Sequence, residues 1–404
     1  MTPDRVVPFA KPATRAATAA PTTSVVRLVL TDFRGYARAR LAIEPGLAVL
    51  VGPNGAGKTN LLEALSFLAP GKGLRRAKLS EIDRRATAAP PGAATQDRPG
   101  AWAVAATVTG PAGEFDVGTG RDIDSESGER RHLRIDGVPA KSQQDLSERL
   151  AVAWLTPQMD RLFADAASGR RRFLDRLVTG FDPGHWSRLL AYERAMRERA
   201  RLLREGAADP SWLKALEEIM AENGVALAAA RLEAVARLAA ACADATGPFP
   251  RAGLAIEGAV EHWLGSMPAL AAEEAFRAAL HDSRGLDRDS GVTQTGPHRS
   301  DLLARHLGTG EAAALCSTGE QKALLIAIVL AYARLLALRR GSAPVLLLDE
   351  VTAHLDAARR SALFQALRAL GAQCWLAGTD IALFAELKGH AQFFAVADAA
   401  VSPA

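Results

Sequence analysis

The stretch Gly52-Pro53-Asn54-Gly55-Ala56-Gly57-Lys58-Thr59 constrains this chain more than any other, because its spacing is G-x-x-x-x-G-K-T. Before it, Leu47-Ala48-Val49-Leu50-Val51 reads as a short buried strand; after it, Leu61, Leu62, Leu65 and Leu68 recur at helical spacing. Strand, glycine-rich loop and helix are the context in which this pattern is a phosphate-binding loop and not an incidental turn. Glycines let successive backbone N–H groups point inward at a phosphate, and the helix N-terminus adds partial positive charge. Lys58 supplies a full charge to the β- and γ-phosphates of a nucleotide, and the Thr59 hydroxyl suits Mg²⁺.

Such a loop needs a metal partner and a base. Val345-Leu346-Leu347-Leu348 runs into Asp349-Glu350, a buried strand ending in two acids. The ends of parallel strands are where α/β sheets present ligands. There the Asp349 carboxylate can position Mg²⁺ beside Thr59, and Glu350 can polarise the attacking water as general base. Lys58 and Asp349 lie about 290 positions apart, so something is inserted between them. Ser317-Thr318-Gly319-Glu320-Gln321-Lys322 opens an apolar helix over Ala323–Leu338. A serine and a glycine at a helix N-terminus make a second anion site. One nucleotide has one set of phosphates, so the economical arrangement places this second site on the nucleotide of another copy. A head-to-tail dimer with ATP sandwiched at the interface is expected.

The rest of the chain divides around these pieces. Residues 1–24, rich in Ala, Thr and Pro with Arg5, Lys11 and Arg15, predict a disordered extension; an organellar transit peptide is the alternative. Strands are expected over 25–30 and 39–43, then, after the phosphate loop and its helix, over 102–108, 114–118 and 132–135, with Asp136-Gly137 as a hairpin turn. Gly71-Lys72-Gly73-Leu74-Arg75-Arg76 is a basic loop, either a solvated surface or a DNA-backbone contact, and 86–100 reads as a mobile loop. From Arg161 the character turns helical. Leu189, Tyr192, Met196, Ala200 and Leu203 make one stripe, and Leu213, Leu216, Met220, Leu227, Val235 and Leu238 another, with a break at Gly206–Pro210. Two long antiparallel helices follow, their charges on a solvated face. Phe249–Ile256 is a weaker strand candidate and 273–281 a helix. His298 in the polar segment 293–302 reads, on its own, as an exposed turn residue.

Composition narrows the class. At 404 residues, 49% of them hydrophobic, there is room for two domains or one with an insertion. The net charge of +4 does not by itself imply nucleic acid, but 161–205 holds 11 Arg, no Lys and 6 acids. Cys242, Cys316 and Cys374 are far apart with no C-x-x-C, which favours a reduced cytosolic protein over a disulfide framework or zinc site. No run approaches ~18 apolar residues, so no membrane span is expected, and a transporter would need separate membrane subunits.

Together these segments resemble an ABC-type ATPase. Gly52–Thr59, Ser317–Gln321, Leu346–Glu350 and Leu355-Asp356 look like its Walker A, signature, Walker B and D-loop motifs. Within that class the chain resembles the RecF family of bacterial DNA replication and repair proteins. The specific features are Phe33-Arg34, Gly52 through Asn60, Arg171-Arg172-Phe173-Leu174-Asp175, Thr295-Gly296-Pro297-His298-Arg299 and Ser317–Lys322.

The resemblance implies an α/β P-loop ABC-type ATPase head built from both chain ends, 25–157 and 295–404, with an inserted helical second lobe over 158–294. It implies ATP and Mg²⁺ as ligands, an ATP-dependent homodimer, and binding to gapped DNA or single-strand/double-strand junctions in the cytoplasm. RecR and RecO are the implied partners in loading RecA, with slow hydrolysis releasing the dimer. By position Gln158 would link the γ-phosphate and metal to the second lobe, while Ser317, Gly319 and Asp356 would complete a neighbouring copy's site. Thr379 stands where transporter ATPases carry a switch histidine, which counts against a transporter subunit. The inserted arm is too short for a chromosome-organising ATPase, and no room is expected after Ala377 for the acidic domain of an overcoming-lysogenisation-type nuclease. Candidate DNA contacts are Lys72, Arg75, Arg76, Arg170 and Arg171.

Overall fold

The computed structural model describes residues 22–84, 101–121, 130–206 and 209–404. The expected N-terminal extension, up to residue 21, and the expected loop at 86–100 lie outside them. In chain order the head begins with β1 (Ser24–Phe33), β2 (Tyr36–Ala42), β3 (Leu47–Val51) and α1 (Lys58–Ser66). It continues with β4 (Ala103–Gly110), β5 (Gly113–Arg121), β6 (Arg131–Ile135), β7 (Val138–Pro139), α2 (Gln144–Arg149) and β8 (Val152–Leu155). Helices α3 (Ala167–Phe181), α4 (His185–Glu205) and α5 (Pro210–Ala243) follow, then β9 (Ala252–Glu257), α6 (Ala259–Ser266), α7 (Ala269–Asp282) and α8 (Arg284–Ser290). The chain closes with β10 (Asp301–His306), α9 (Thr318–Arg340), β11 (Val345–Asp349), α10 (Ala357–Leu370), β12 (Cys374–Gly378), β13 (Ala391–Ala397) and β14 (Ala400–Pro403).

The nucleotide-binding strand sits inside a six-stranded sheet of order β14-β13-β3-β12-β11-β8, in which only β14 runs antiparallel. The sheet is buried on both faces, so its strands read as continuous apolar runs. Along β3 the side chains still alternate: Leu47 and Val49 enter the core under α9 and α10, while Ala48 and Leu50 enter the opposite core. That second core lies between this sheet and an antiparallel sheet of order β2-β1-β4-β5-β6-β7, with α1 in the middle. The β6–β7 turn takes φ +53° at Asp136 and +77° at Gly137, the paired positive values that a two-residue hairpin needs.

The arm is the expected antiparallel pair α4 and α5, held by a core of its own around Tyr192, Leu202, Leu213, Met220 and Phe276. Packing divides the chain differently from the sequence boundaries at 158 and 294. Ala234, Val235, Leu238 and Cys242 on α5 belong to the head core, and β9 pairs with β10 across position 294. The charge on the arm is also not all solvated. Arg199 is fully buried among Glu217, Asp287, Thr293 and the Leu280 carbonyl.

Helix α9 is long and apolar enough to cross a membrane, contrary to the expectation from run length, but 78% of its apolar window is buried inside the protein. It is the core helix of the head. The three cysteines are free and buried; burial pushes the Cys242 thiol up to about 12.

Candidate functional site

The C-terminal ends of β3, β12 and β11 lie level, with Val51 opposite Gly378 and Ala377 opposite Asp349. This alignment brings the two sequence motifs together. The loop after β3 enters α1 through Gly57, which caps the helix at φ +113°; Gly55 has φ +81°. A Cβ at Gly57 would lie 2.7 Å from the Tyr36 hydroxyl, and one at Gly52 would lie 2.0 Å from the Val396 carbonyl oxygen. Glycine is therefore required at Gly57 by conformation and space, and at Gly52 by space. The Tyr36 hydroxyl donates to the Gly57 carbonyl at 3.1 Å. The Ala399 amide donates to Ala56 O at 3.2 Å.

Lys58 is buried and folded back on its own loop, donating to Gly52 O at 2.7 Å and Pro53 O at 3.0 Å, with Glu350 Oε1 at 4.0 Å. Burial lowers its pKa, opposed by Glu350 and Asp349. The Thr59 hydroxyl donates to Asp349 Oδ2 at 3.0 Å, while Asp349 Oδ1 is buried with no partner among the described residues. Burial raises the pKa of both Asp349 and Glu350. A hydroxyl and a carboxylate with a spare, desolvated oxygen are the oxygen donors that Mg²⁺ takes alongside nucleotide phosphates. Glu350 holds φ +49°, a left-handed backbone unusual for a side-chain-bearing residue. A cavity of about 290 Å³ joins Asn54, Lys58, Asn60, Gln158, Asp349 and Glu350.

Several supports were invisible at the level of sequence. Lys322 Nζ lies 3.3 Å from both the Glu350 carbonyl oxygen and Asp160 Oδ2, so the first turn of α9 touches the backbone of the candidate base. Buried Glu63 on α1 accepts two hydrogen bonds from Arg34, at 2.7 and 2.9 Å, and one from Arg75 at 3.0 Å. Arg75 also donates to Asn60 Oδ1 at 2.7 Å and so lies beside the nucleotide cavity.

The signature residues lie elsewhere. Ser317 caps α9 in a reciprocal box with Glu320, its side chain exposed, and neither it nor Gly319 lines the nucleotide cavity. Asp356, also exposed, caps α10 by accepting from the Arg359 amide at 2.7 Å. These residues are on the surface, away from their own chain's Lys58 pocket.

The family described as the RecF/RecN/SMC N-terminal domain matches residues 24–388. The DNA replication and repair protein RecF of Mesorhizobium japonicum is 50% identical over 384 residues, covering 94% of this chain and 98% of that protein. The chain belongs to the RecF family. The RecF of Brucella suis is 49% identical over 377 residues, covering 92% and 94% of the two chains. A solved structure of the recombination mediator protein RecF with ATPrS, from the RecFOR pathway, superposes with a TM-score of 0.81 at 22% identity, covering 95% of this chain and 99% of that one. An Smc head from Pyrococcus furiosus follows at a TM-score of 0.52 and 15% identity, covering 95% and 96%. The fold is therefore the ABC-type ATPase head shared by RecF and Smc.

In this RecF-family chain the segments 171–175 and 295–299 meet at the buried Arg231 of α5. Asp175 pairs with Arg231 through both oxygens, at 2.8 and 2.9 Å, and with His185 Nε2 at 2.8 Å. Arg231 also donates to the Pro297 carbonyl at 2.6 Å. His298 is not an exposed turn residue: its Nδ1 accepts from the Tyr192 hydroxyl at 2.6 Å and its Nε2–H donates to Thr293 O at 2.9 Å. Burial lowers its pKa to about 4.

The five candidate DNA contacts separate. Lys72, Arg75, Arg76 and Arg171 line one large cavity between head and arm. Arg170 is the correction. It is tied by two hydrogen bonds to Asp301, at 2.7 and 2.8 Å, and to the carbonyls of Leu162, Phe163 and Asp165. A guanidinium held this way to Asp301 and three backbone carbonyls is committed to the fold, its charge already met by a carboxylate.

Proposed function

We propose that this protein is an ATP-dependent DNA-binding switch of recombinational gap repair. ATP, with Mg²⁺ held by Thr59, Asp349 and the nearby Gln158, closes two copies head to tail. The closed dimer engages gapped DNA or a single-strand/double-strand junction and, with RecR and RecO, helps load RecA. Slow, DNA-stimulated hydrolysis resets it.

The observation that carries this is the separation of Ser317 and Gly319 from the pocket of Lys58, Thr59, Asp349 and Glu350. An exposed helix N-terminus suited to an anion and a phosphate pocket with an open side complement each other across two copies. The relatives' naming as DNA replication and repair proteins supports the DNA substrate.

Chemically, Lys58 exchanges the Gly52 and Pro53 carbonyls for phosphate oxygens. Thr59 and Asp349 would hold Mg²⁺, which would supply charge against that developing on the phosphates. Glu350 takes the proton of the attacking water; its raised pKa makes it a stronger base than an exposed carboxylate. Ser317 and Gly319 of the second copy face the γ-phosphate.

Binding of a fluorescent gapped duplex, with and without ATP and over a series of salt concentrations, tests the proposal. Tight binding should need ATP and weaken steeply with salt. Binding unaffected by both overturns it.

A further inference from the structure

A cavity of about 960 Å³ lies between the loop after α1 on the head and helices α3 and α4 at the base of the arm. Lys72 and Arg76 face it from the loop, and Arg172 faces it from α3. All three are exposed, and among the described residues none is hydrogen-bonded or ion-paired. Arg76 and Arg172 repel each other across the space, opposed chiefly by Glu193. Of the two other acids at the wall, Asp175 is already spent on Arg231 and His185, and Asp165 lies 3.7 Å from Arg161. A cluster of like charges with so little compensation is arranged for an anion.

The wall is also aromatic. Trp186 packs against the same loop so closely that a Cβ on Gly71 would lie 3.1 Å from its ring, and its buried indole N–H has no partner among the described residues. Cations spread over two segments beside an aromatic face suit a sugar-phosphate strand with an unstacked base. A duplex keeps its base faces covered and is too bulky for this volume. A lone phosphate would leave most of the space and the indole unused.

We propose that this cleft binds a single strand of nucleic acid, with phosphates at Lys72, Arg76 and Arg172 and a base against Trp186. The inference rests on the DNA-binding function proposed above and places its single-stranded part. Leu74, Arg75, Thr156 and Gln158 line both this cleft and the nucleotide cavity. A strand in the cleft is therefore one layer of side chains from ATP, a direct route by which DNA reaches the ATPase.

The test is fluorescence anisotropy of the full chain with ATP, using labelled (dT)15 and a 15-base-pair duplex as probes. Arg76→Glu and Arg172→Glu should each weaken (dT)15 binding about tenfold or more while duplex binding changes less than about threefold. Trp186→Leu should weaken (dT)15 by about fivefold or more without changing the salt slope, because stacking releases no counterions. Arg172→Ala should reduce that slope by about 0.7. Arg237→Glu, on the exposed face of α5, is the control and should change neither. Unaltered (dT)15 binding in the Arg76 and Arg172 variants, or equal loss on both probes, overturns the cleft while leaving the DNA function standing. A wild-type chain that binds the gapped duplex but not (dT)15 also overturns the cleft, and one that binds none of the three overturns the DNA function itself.

Discussion

The Thr59 hydroxyl donates to Asp349 Oδ2 at 3.0 Å, 290 positions further along the chain. The contact exists because β3 and β11 flank β12 and end level with each other. It leaves Asp349 Oδ1 buried without a partner among the described residues, and burial raises the carboxyl pKa. The sign follows from linkage: a carboxyl raised on folding favours the folded state at low pH and loses that contribution as pH rises through the folded value. Asp349→Asn keeps an acceptor for Thr59 and removes the buried charge. It should therefore raise the Tm of the nucleotide-free protein at neutral pH while lowering ATP hydrolysis by about 100-fold or more. Calorimetry and phosphate release measure the two; a lower Tm would contradict the account of the site.

Lys322 should act on hydrolysis more than on binding. Its ammonium holds the Glu350 carbonyl, not the nucleotide, and Glu350 sits in a left-handed conformation that needs support. Lys322→Met is expected to lower kcat by about tenfold with nucleotide Kd within about twofold. Single-turnover kinetics and equilibrium nucleotide binding separate these; equal loss in both would make Lys322 merely structural.

Hydrolysis should carry an acidic limb set by Glu350. Burial raises its pKa, so kcat is expected to climb with pH through a point above the ordinary glutamate value of about 4.3. A pH profile of the wild type at saturating ATP checks this. A limb at or below the ordinary value would remove Glu350 as the base.

His298 makes the arm sensitive to acid. Its pKa is lowered to about 4 in the fold, so stability from its neutral form is present above about 6.5 and is lost as pH falls toward 4. The effect is on the order of 2–3 kcal/mol at full extent. Urea melts between pH 4 and 7 should show this slope, and Tyr192→Phe, which removes the hydroxyl hydrogen-bonded to Nδ1, should flatten it.

The Asp175–Arg231 pair should be costly to break from one side. Asp175→Ala leaves the buried Arg231 guanidinium with only the Pro297 carbonyl, and a loss of about 3–5 kcal/mol is expected. Denaturant titration reads it directly.

Much of this was legible before any coordinates. The phosphate loop, the apolar strand ending in Asp349-Glu350 and the paired arm helices announce themselves because local chemistry fixes them: glycine dihedrals, two-faced burial and helical periodicity. Strands β10, β13 and β14 were missed because their register is set by partners far away in the chain. Arg170, Arg199 and Arg231 looked solvated because a sequence shows charge but not the carboxylate that meets it. Asp301, Glu217 and Asp175 are 131, 18 and 56 positions from their respective arginines. Lys322 was seen as part of the signature segment, but its contacts with Asp160 and the Glu350 carbonyl, 162 and 28 positions away, were not.

The most direct measurement is sedimentation velocity of the Glu350→Gln variant with saturating ATP and Mg²⁺. The substitution removes the proposed base but leaves Lys58, Thr59, Asp349 and the exposed Ser317 end of α9 in place. If ATP joins two copies and hydrolysis releases them, the variant sediments as a stable dimer with ATP and as a monomer without it. A variant that stays monomeric with saturating ATP contradicts the sandwich.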